Sequence, residues 1–314
     1  MNETAQKVLS GEVRVAARLM RALDDGRPEA YAVLAELYAH TGNAVRVGVT
    51  GHPGVGKSTL TDRLVTAYRA AGKRVGVVAI DPSSPYTGGA ILGDRVRMQK
   101  HAGDAGVFIR SLATRGALGG LSSSARDTVF VMEAMGFDIV IVETVGVGQD
   151  EVDVANLVAT SIVVTVPGLG DSVQAIKAGI LEIADIFVVN KADNPDAERA
   201  ANHLHMILEL EGGERWGRRV PVLKTIAQAG TGIDALMRSI EEHGTHLVNS
   251  AEGPRRAQRR AEVALAERVE LLLRAKARAA VAAHGGIDQV VDSIRQRTLD
   301  PYRAAHGIVA NLSD

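Results

Sequence analysis

The chain has 314 residues and not one cysteine, which excludes disulfides, thiolate zinc sites and a cysteine nucleophile. That absence is compatible with a cytoplasmic protein. Net charge is also nearly absent: 36 Lys and Arg against 37 Asp and Glu leave a formal charge of -1. No general electrostatic attraction to nucleic acid or to an anionic membrane is therefore expected. Long apolar runs are missing too, as is a basic-then-apolar signal at the start, so no membrane span is expected and the chain reads as soluble. Only 7 methionines are present, too few for a methionine-rich signal-binding domain.

What is present is a 46% hydrophobic composition, enough for one large core with helical additions. Residues 1–43 read as two or three amphipathic helices, with Val15, Leu19 and Leu23 at i+4 spacing and a second stretch opened by Pro28 and carrying Val33, Leu34 and Leu37. From 44 to 248, short β-branched runs alternate with helical stretches: Val45 to Val49, Val75 to Ile80, Val107 to Ile109, Ile139 to Val142, Ile162 to Val166, Ile186 to Val189 and Val220 to Leu223. That alternation predicts an α/β fold with a doubly wound, mostly parallel sheet. A break at Glu252-Gly253-Pro254 then separates a helical region, 249–314, in which Leu265, Val269, Leu272 and Leu273 share a face. The basic cluster Arg255, Arg256, Arg259 and Arg260 reads as a solvated helix face. No internal repeat is found.

Residues 51–58 read Gly-His-Pro-Gly-Val-Gly-Lys-Ser after an apolar strand. A triphosphate needs several inward-pointing donors unobstructed by side chains, and Gly51, Gly54 and Gly56 allow that. The helix that follows offers N-terminal amides and a favourable dipole. Lys57 is the candidate for the β/γ-phosphates and Ser58 for Mg²⁺, while Pro53, Val55 and Thr59 complete the loop.

A second polar string, Asn190-Lys191-Ala192-Asp193, follows the apolar run Ile186 to Val189 and so falls at the carboxyl end of a strand. There the Asp193 carboxylate can accept from both N1–H and the 2-amino group of guanine, a contact adenine cannot return. At about 1.5 to 3 kcal/mol per charged hydrogen bond, GTP should be preferred over ATP by a hundredfold or more. The Ala227 amide, in Thr225-Ile226-Ala227, is a candidate donor to guanine O6. Together the two motifs point to a P-loop GTPase using GTP/GDP and Mg²⁺.

Acids stand between these anchors. Asp81 ends a strand and begins Asp-Pro-Ser-Ser-Pro, and Glu143 ends another and begins Glu-Thr-Val-Gly-Val-Gly-Gln. Carboxylates so placed can hold the cation or orient the attacking water, and Gly146 can donate its amide to a γ-phosphate.

Four stretches carry a family resemblance: Gly51 to Thr59; Asp81-Pro-Ser-Ser-Pro with Gly88-Gly89-Ala-Ile-Leu-Gly-Asp94-Arg95; Glu143 to Gln149; and Pro167 to Gly179. With Asn190 to Asp193 they resemble the cobalamin-linked GTPases that accompany methylmalonyl-CoA mutase, the MeaB/ArgK group, to which the human methylmalonic aciduria type A protein is related. The resemblance implies a metal site drawn from Ser58, Asp81, Asp94 and Glu143, and switch loops at 82–97, 144–151 and 167–179. It assigns Gln149, Asp171, Gln174 and Lys177 to switching or partner contact, and makes Arg95 and Arg97 candidates to meet developing phosphate charge. It implies a cytoplasmic homodimer, joined through the C-terminal helices, that assists an adenosylcobalamin-dependent methylmalonyl-CoA mutase by gating cofactor delivery and protecting or reactivating the enzyme.

One departure is Ile226, where the family usually has a serine whose hydroxyl supports the aspartate. Other readings stay open: an ATPase or kinase serving arginine/ornithine transport, which Asp193 disfavours, and a metallocentre-assembly GTPase for another client. The nickel-inserting kind would need metal-binding Cys and His, yet there is no Cys, and His203 and His205 diverge on a helix.

Overall fold

Seven of the short β-branched runs become one parallel sheet in the computed structural model, which describes residues 1–81, 99–101, 103–113, 120–144, 154–168, 178–210, 212–215, 217–283 and 286–310. The strands are β1 (Val45–Thr50), β2 (Val75–Asp81), β3 (Val107–Ala113), β4 (Ile139–Glu143), β5 (Thr160–Thr165), β6 (Ile186–Val189) and, after a two-stranded hairpin of β7 (Glu214–Arg215) and β8 (Arg218–Arg219), β9 (Val222–Lys224). Their order is β3-β2-β4-β1-β5-β6-β9, every pairing parallel. The last strand runs two residues later at its start than the Val220 to Leu223 reading, because Phe187 N–H bonds to the Pro221 carbonyl and ladder pairing begins at Val222. The hairpin had no apolar run to announce it.

The helices among the described residues are α1 (Glu3–Leu9), α2 (Val13–Asp24), α3 (Pro28–Leu37), α4 (Lys57–Ala70), α5 (Gly120–Ala134), α6 (Ala178–Ile183), α7 (Ala197–Leu210), α8 (Ile233–Asn249), α9 (Glu252–Ala283), α10 (Gly286–Arg295) and α11 (Pro301–Ala310). Strand β4 is buried along its whole length. Its alternate residues divide between two cores: Ile139 and Ile141 pack with α4 and α8, whereas Val140 and Val142 pack with α5 and the N-terminal helices. A parallel strand covered on both faces needs such an unbroken apolar run. A third cluster joins Val163, Phe187 and Val189 to α6 and α7.

Residues 1–43 form three helices, and they belong to the same body as the sheet. Val15, Leu19 and Leu23 of α2 and Val33, Leu34 and Leu37 of α3 are buried in one cluster with Val78, Ile80 and α5. The entry to β1 is fixed by Glu133, whose carboxylate accepts from Arg46 at 2.7 and 2.6 Å and from the Gly42 amide at 3.0 Å.

The chain divides into two compact units, Met1–Arg260 and Ala261–Asp314. The helix expected to follow a break at Glu252-Gly253-Pro254 in fact begins at Glu252, after Ser250 and Ala251. Pro254 sits in its first turn, where a missing N–H costs no helical bond. The first unit extends to Arg260 because Glu252 is buried and Arg256 bonds both Glu252, at 2.7 Å, and Asp185, at 2.9 Å. Arg256 is therefore an internal ion-pair partner, and Arg260 bonds the Val158 carbonyl at 3.4 Å, while Arg255 and Arg259 are exposed. The solvated-face reading holds for half of that cluster. Within the second unit, Leu265, Val269, Leu272 and Leu273 all lie exposed on α9. No helix among the described residues is long and apolar enough to cross a membrane.

Candidate nucleotide site

Register brings the site together. Because all seven strands are parallel, their carboxyl ends share one edge, and the loops after β1, β4, β6 and β9 emerge there. Val49 of β1 stands opposite Glu143 of β4, which also stands opposite Ala79 of β2. The residue that ends β4 is thus beside the loop that leaves β1.

That loop is shaped by glycine at two close approaches. Gly51 has φ +136°, and a Cβ on it would lie 2.1 Å from the Val164 carbonyl oxygen. Gly56 has φ +95°, and a Cβ there would lie 2.5 Å from Asn190 Nδ2. Both positions need a residue without a side chain. Helix α4 then starts at Lys57, with Gly56 at its N-cap and no side-chain cap on its first amides among the described residues.

Lys57 and Ser58 are buried. Lys57 Nζ donates to the Gly51 carbonyl at 2.6 Å and the His52 carbonyl at 3.0 Å. Ser58 Oγ donates to Glu143 Oε1 at 2.6 Å, and Glu143 is 1% exposed. A buried hydroxyl and carboxylate in contact form a hard-oxygen pair of the kind Mg²⁺ takes. Thr144 and Thr50 hydroxyls, 2.9 Å apart and buried, tie β4 to β1 beneath them.

The Asn-Lys-x-Asp loop is joined to the phosphate loop directly. Asn190 Nδ2 donates to the Val55 carbonyl at 2.9 Å, and Lys191 Nζ donates to the Gly54 carbonyl at 3.0 Å. Asn190 Oδ1 accepts from the Thr225 hydroxyl and from the Ala227 amide, each at 3.1 Å. Asn190 is therefore a three-way brace among the loops after β1, β6 and β9. The Ala227 N–H, read from sequence as a donor to the base, is engaged by this carbonyl. Lys191 holds φ +56°, a left-handed conformation uncommon for a lysine, and Asp193 beside it is exposed with no hydrogen bond among the described residues. The loop after β9 is closed by Ile226 N–H to the Thr231 carbonyl at 3.0 Å.

Pro53, Gly54 and Thr59 sit on the same loop and helix start, Pro53 and Gly54 exposed and Thr59 half-buried. Asp81 ends β2 on this edge, paired with Ala113, and its side chain lies outside the described residues. Asp94, Arg95, Arg97, Gly146, Gln149, Asp171, Gln174 and Lys177 lie outside them entirely. Sequence reasoning missed Thr225 as a brace for Asn190 and Arg63 of α4 as a partner of the β9 loop. Arg63 belongs to no spaced motif, and Thr225-Ile226-Ala227 was read only for its Ala227 amide; only the folded sheet brings either residue to its partner.

Fold and site together define a P-loop GTPase. The family model described as "Methylmalonyl Co-A mutase-associated GTPase MeaB" matches residues 16–296, and the chain belongs to that family. A Pyrococcus abyssi protein carrying a GTPase name is 44% identical over 315 residues, covering 99% of this chain and 97% of the relative. GTPase ArgK of Escherichia coli is 38% identical over 258 residues, covering 79% of this chain and 77% of the relative. The mitochondrial methylmalonic aciduria type A homolog of Mus musculus is 36% identical over 212 residues, covering 66% and 51%. A solved structure described as LAO/AO transport system kinase matches with a TM-score of 0.65 at 28% identity, across 100% of this chain and 99% of that one.

Proposed function

We propose that the protein is a Mg²⁺-dependent, cytoplasmic GTP hydrolase that works as a homodimer and serves as chaperone to an adenosylcobalamin-dependent methylmalonyl-CoA mutase, gating cofactor delivery and protecting or reactivating the enzyme. The guanine-nucleotide half rests on one observation, the direct bonding of the Asn190-to-Asp193 loop to the phosphate loop through Val55 and Gly54. A base held at Asp193 and phosphates held at Lys57 would then be set at a fixed separation by the protein itself. The mutase half rests on membership of a family described by that association.

On this reading Lys57 exchanges the Gly51 and His52 carbonyls for β/γ-phosphate oxygens, a trade of neutral acceptors for charged ones. Ser58 and Glu143, with Asp81 and Asp94, would hold Mg²⁺, which when bound neutralises phosphate charge. Asp193 would read N1–H and the 2-amino group, and the Ala227 amide would turn from Asn190 toward O6. Gly146, Arg97, Gln149, Asp171, Gln174 and Lys177 keep the roles the resemblance implies, and the exposed apolar stripe of α9 suits the homodimer contact. Turnover without the partner is expected at about 10⁻⁴ to 10⁻² s⁻¹, from the intrinsic rate of P-loop GTPases with no arginine finger in place up to that of those with an arginine in cis.

The test is GTP hydrolysis by the protein alone and with the mutase, with ATP and Asp193→Ala in parallel. Several-fold stimulation confined to GTP and lost in the variant is the expected result. An unchanged rate, with no complex in any nucleotide state, would remove the mutase as client. Hydrolysis of ATP as fast as GTP would instead favour the transport-kinase reading, which the name of the solved relative supports.

A further inference from the structure

Arg63 lies on α4 less than two turns beyond Lys57 and belongs to neither nucleotide motif. Its guanidinium reaches the loop after β9: Nε donates to the Ala227 carbonyl at 2.9 Å, and Nη2 donates to the Gln228 carbonyl. Among the described residues Arg63 makes no ion pair, so these two carbonyls are its whole set of acceptors. The same loop is also held by Ile226 N–H to the Thr231 carbonyl and Ala229 N–H to the Ile226 carbonyl, each at 3.0 Å, by Gly230 N–H to the Ala227 carbonyl at 3.3 Å, by the Ala192 amide on the Thr225 carbonyl at 3.0 Å, and by the Asn190 brace on the Ala227 amide. The Thr231 bridge thus holds the Thr225–Ile226 peptide through its N–H, and Arg63 holds the Ala227–Gln228 peptide through its carbonyl, one on either side of the peptide that carries the Ala227 amide. Hydrogen bonds from a charged donor are the strong ones in such a set.

The geometry points to Arg63 as a positioning residue for base specificity: by fastening the Ala227 and Gln228 carbonyls to the phosphate-loop helix, it fixes where the Ala227 amide stands, and so how strongly the site reads the 6-oxo group of the base. The inference rests on the guanine reading proposed above. It adds a mechanical link between the element that binds phosphate and the loop that reads the purine.

The experiment is a set of dissociation constants for the full chain and for Arg63→Ala with three probes. GTP carries both reading groups. Inosine triphosphate keeps the 6-oxo group and lacks the 2-amino group. 2-Aminopurine riboside triphosphate keeps the 2-amino group and lacks the 6-oxo group, and the N1 proton it also lacks is missing for both proteins, so that loss cancels in the ratio. Arg63→Ala should weaken GTP and inosine triphosphate about tenfold while leaving the 2-aminopurine nucleotide within about twofold, and Arg63→Lys, holding one carbonyl, should fall between. Equal weakening of all three probes, or of none, in a protein whose parent prefers GTP over the 2-aminopurine nucleotide, would overturn the role of Arg63 alone. A parent chain that does not make that distinction would overturn the guanine reading and this inference with it. Unfolding midpoints of each variant establish that the fold is intact, and if Arg63→Ala does not fold, Arg63→Lys and Arg63→Gln carry the same comparison.

Discussion

At the carboxyl edge of the sheet, buried Lys57 and Ser58 face loop carbonyls and Glu143, on a loop built at glycines with positive φ. At the amino edge, Asp185 accepts from Arg256 at 2.9 Å and from the Ser161 amide at 2.8 Å, and faces His243 Nε2 at 3.4 Å, with His243 Nδ1 2.8 Å from the Thr160 hydroxyl. Both edges bury polar groups, but they spend them differently. The amino edge closes them into side-chain pairs that join β5, β6, α8 and the start of α9. At the carboxyl edge the Lys57 ammonium donates to the Gly51 and His52 carbonyls, contacts of a kind that a phosphate can displace. The carboxyl edge also holds Lys191 in a left-handed backbone uncommon outside glycine, as expected where a loop is held for a ligand. One edge should govern turnover and the other stability, and the two should separate under mutation.

The largest expected effect is Lys57→Ala, which removes the phosphate-facing cation. GTP turnover should fall about a thousandfold, the cost of losing a charged group aimed at developing phosphate charge. Stability should move far less, by about 1 kcal/mol for the hydrogen bonds to the Gly51 and His52 carbonyls. Single-turnover hydrolysis and a urea titration of the same sample measure the two quantities, and a large drop in stability would break the proposed division of labour.

Asp185→Ala tests the other edge. It leaves the Arg256 guanidinium, the Ser161 amide and His243 without their common acceptor, and should cost about 3 kcal/mol. Nucleotide hydrolysis per folded molecule should stay within about twofold of the parent protein, because no atom of this cluster belongs to the phosphate loop. Loss of turnover in fully folded protein would show that the edges are coupled through β5 and β6.

How far each edge was legible in the sequence follows from the same difference. The phosphate loop and the Asn-Lys-x-Asp string are local, because on the proposed reading a ligand's phosphates or base are met by consecutive residues, so spacing alone marks Lys57, Ser58, Asn190 and Asp193 as candidates. The strands were legible because β4 and its neighbours are buried on both faces and must be continuously apolar. The amino-edge cluster joins Thr160, Asp185, His243 and Arg256, which share no spacing and meet only when β5, β6 and α8 are stacked. For that reason the arginines at 255–260 read as one solvated face, although Arg256 and Arg260, four apart on α9, turn inward. Arg63 and Thr225 were opaque on the same ground: their partners lie on other loops.

Acid should act on the amino edge in a defined window. Burial pushes His243 down from 6.5 to about 4, and Arg256, Arg218 and His246 push the same way against the attraction of Asp185. At neutral pH a ring protonated on Nε2 can donate toward Asp185 and accept from Thr160. The unfolded chain takes up its proton near pH 6.5 and the fold only near 4, so stability falls as pH drops through that interval, by at most about 3 kcal/mol. Urea midpoints at several pH values measure the slope, and His243→Gln should flatten it. An unchanged slope in the variant would move the acid sensitivity to other groups.

The smallest effect expected is at Thr225→Val, which sharpens the comparison at the carboxyl edge itself. The Thr225 hydroxyl, 0% exposed, donates to Asn190 Oδ1, while Asn190 Nδ2 separately holds the phosphate loop through Val55. Removing one neutral hydrogen bond from this brace should cost about 1 kcal/mol, or roughly fivefold in GTP affinity. If Asn190 carries strain between the two loops as one rigid unit, ATP and GTP should weaken together, because both use the phosphate loop. If the hydroxyl mainly fixes the base side, GTP should weaken while ATP does not. Competition titrations with the two nucleotides distinguish these outcomes, and no change with either would remove Thr225 from the brace.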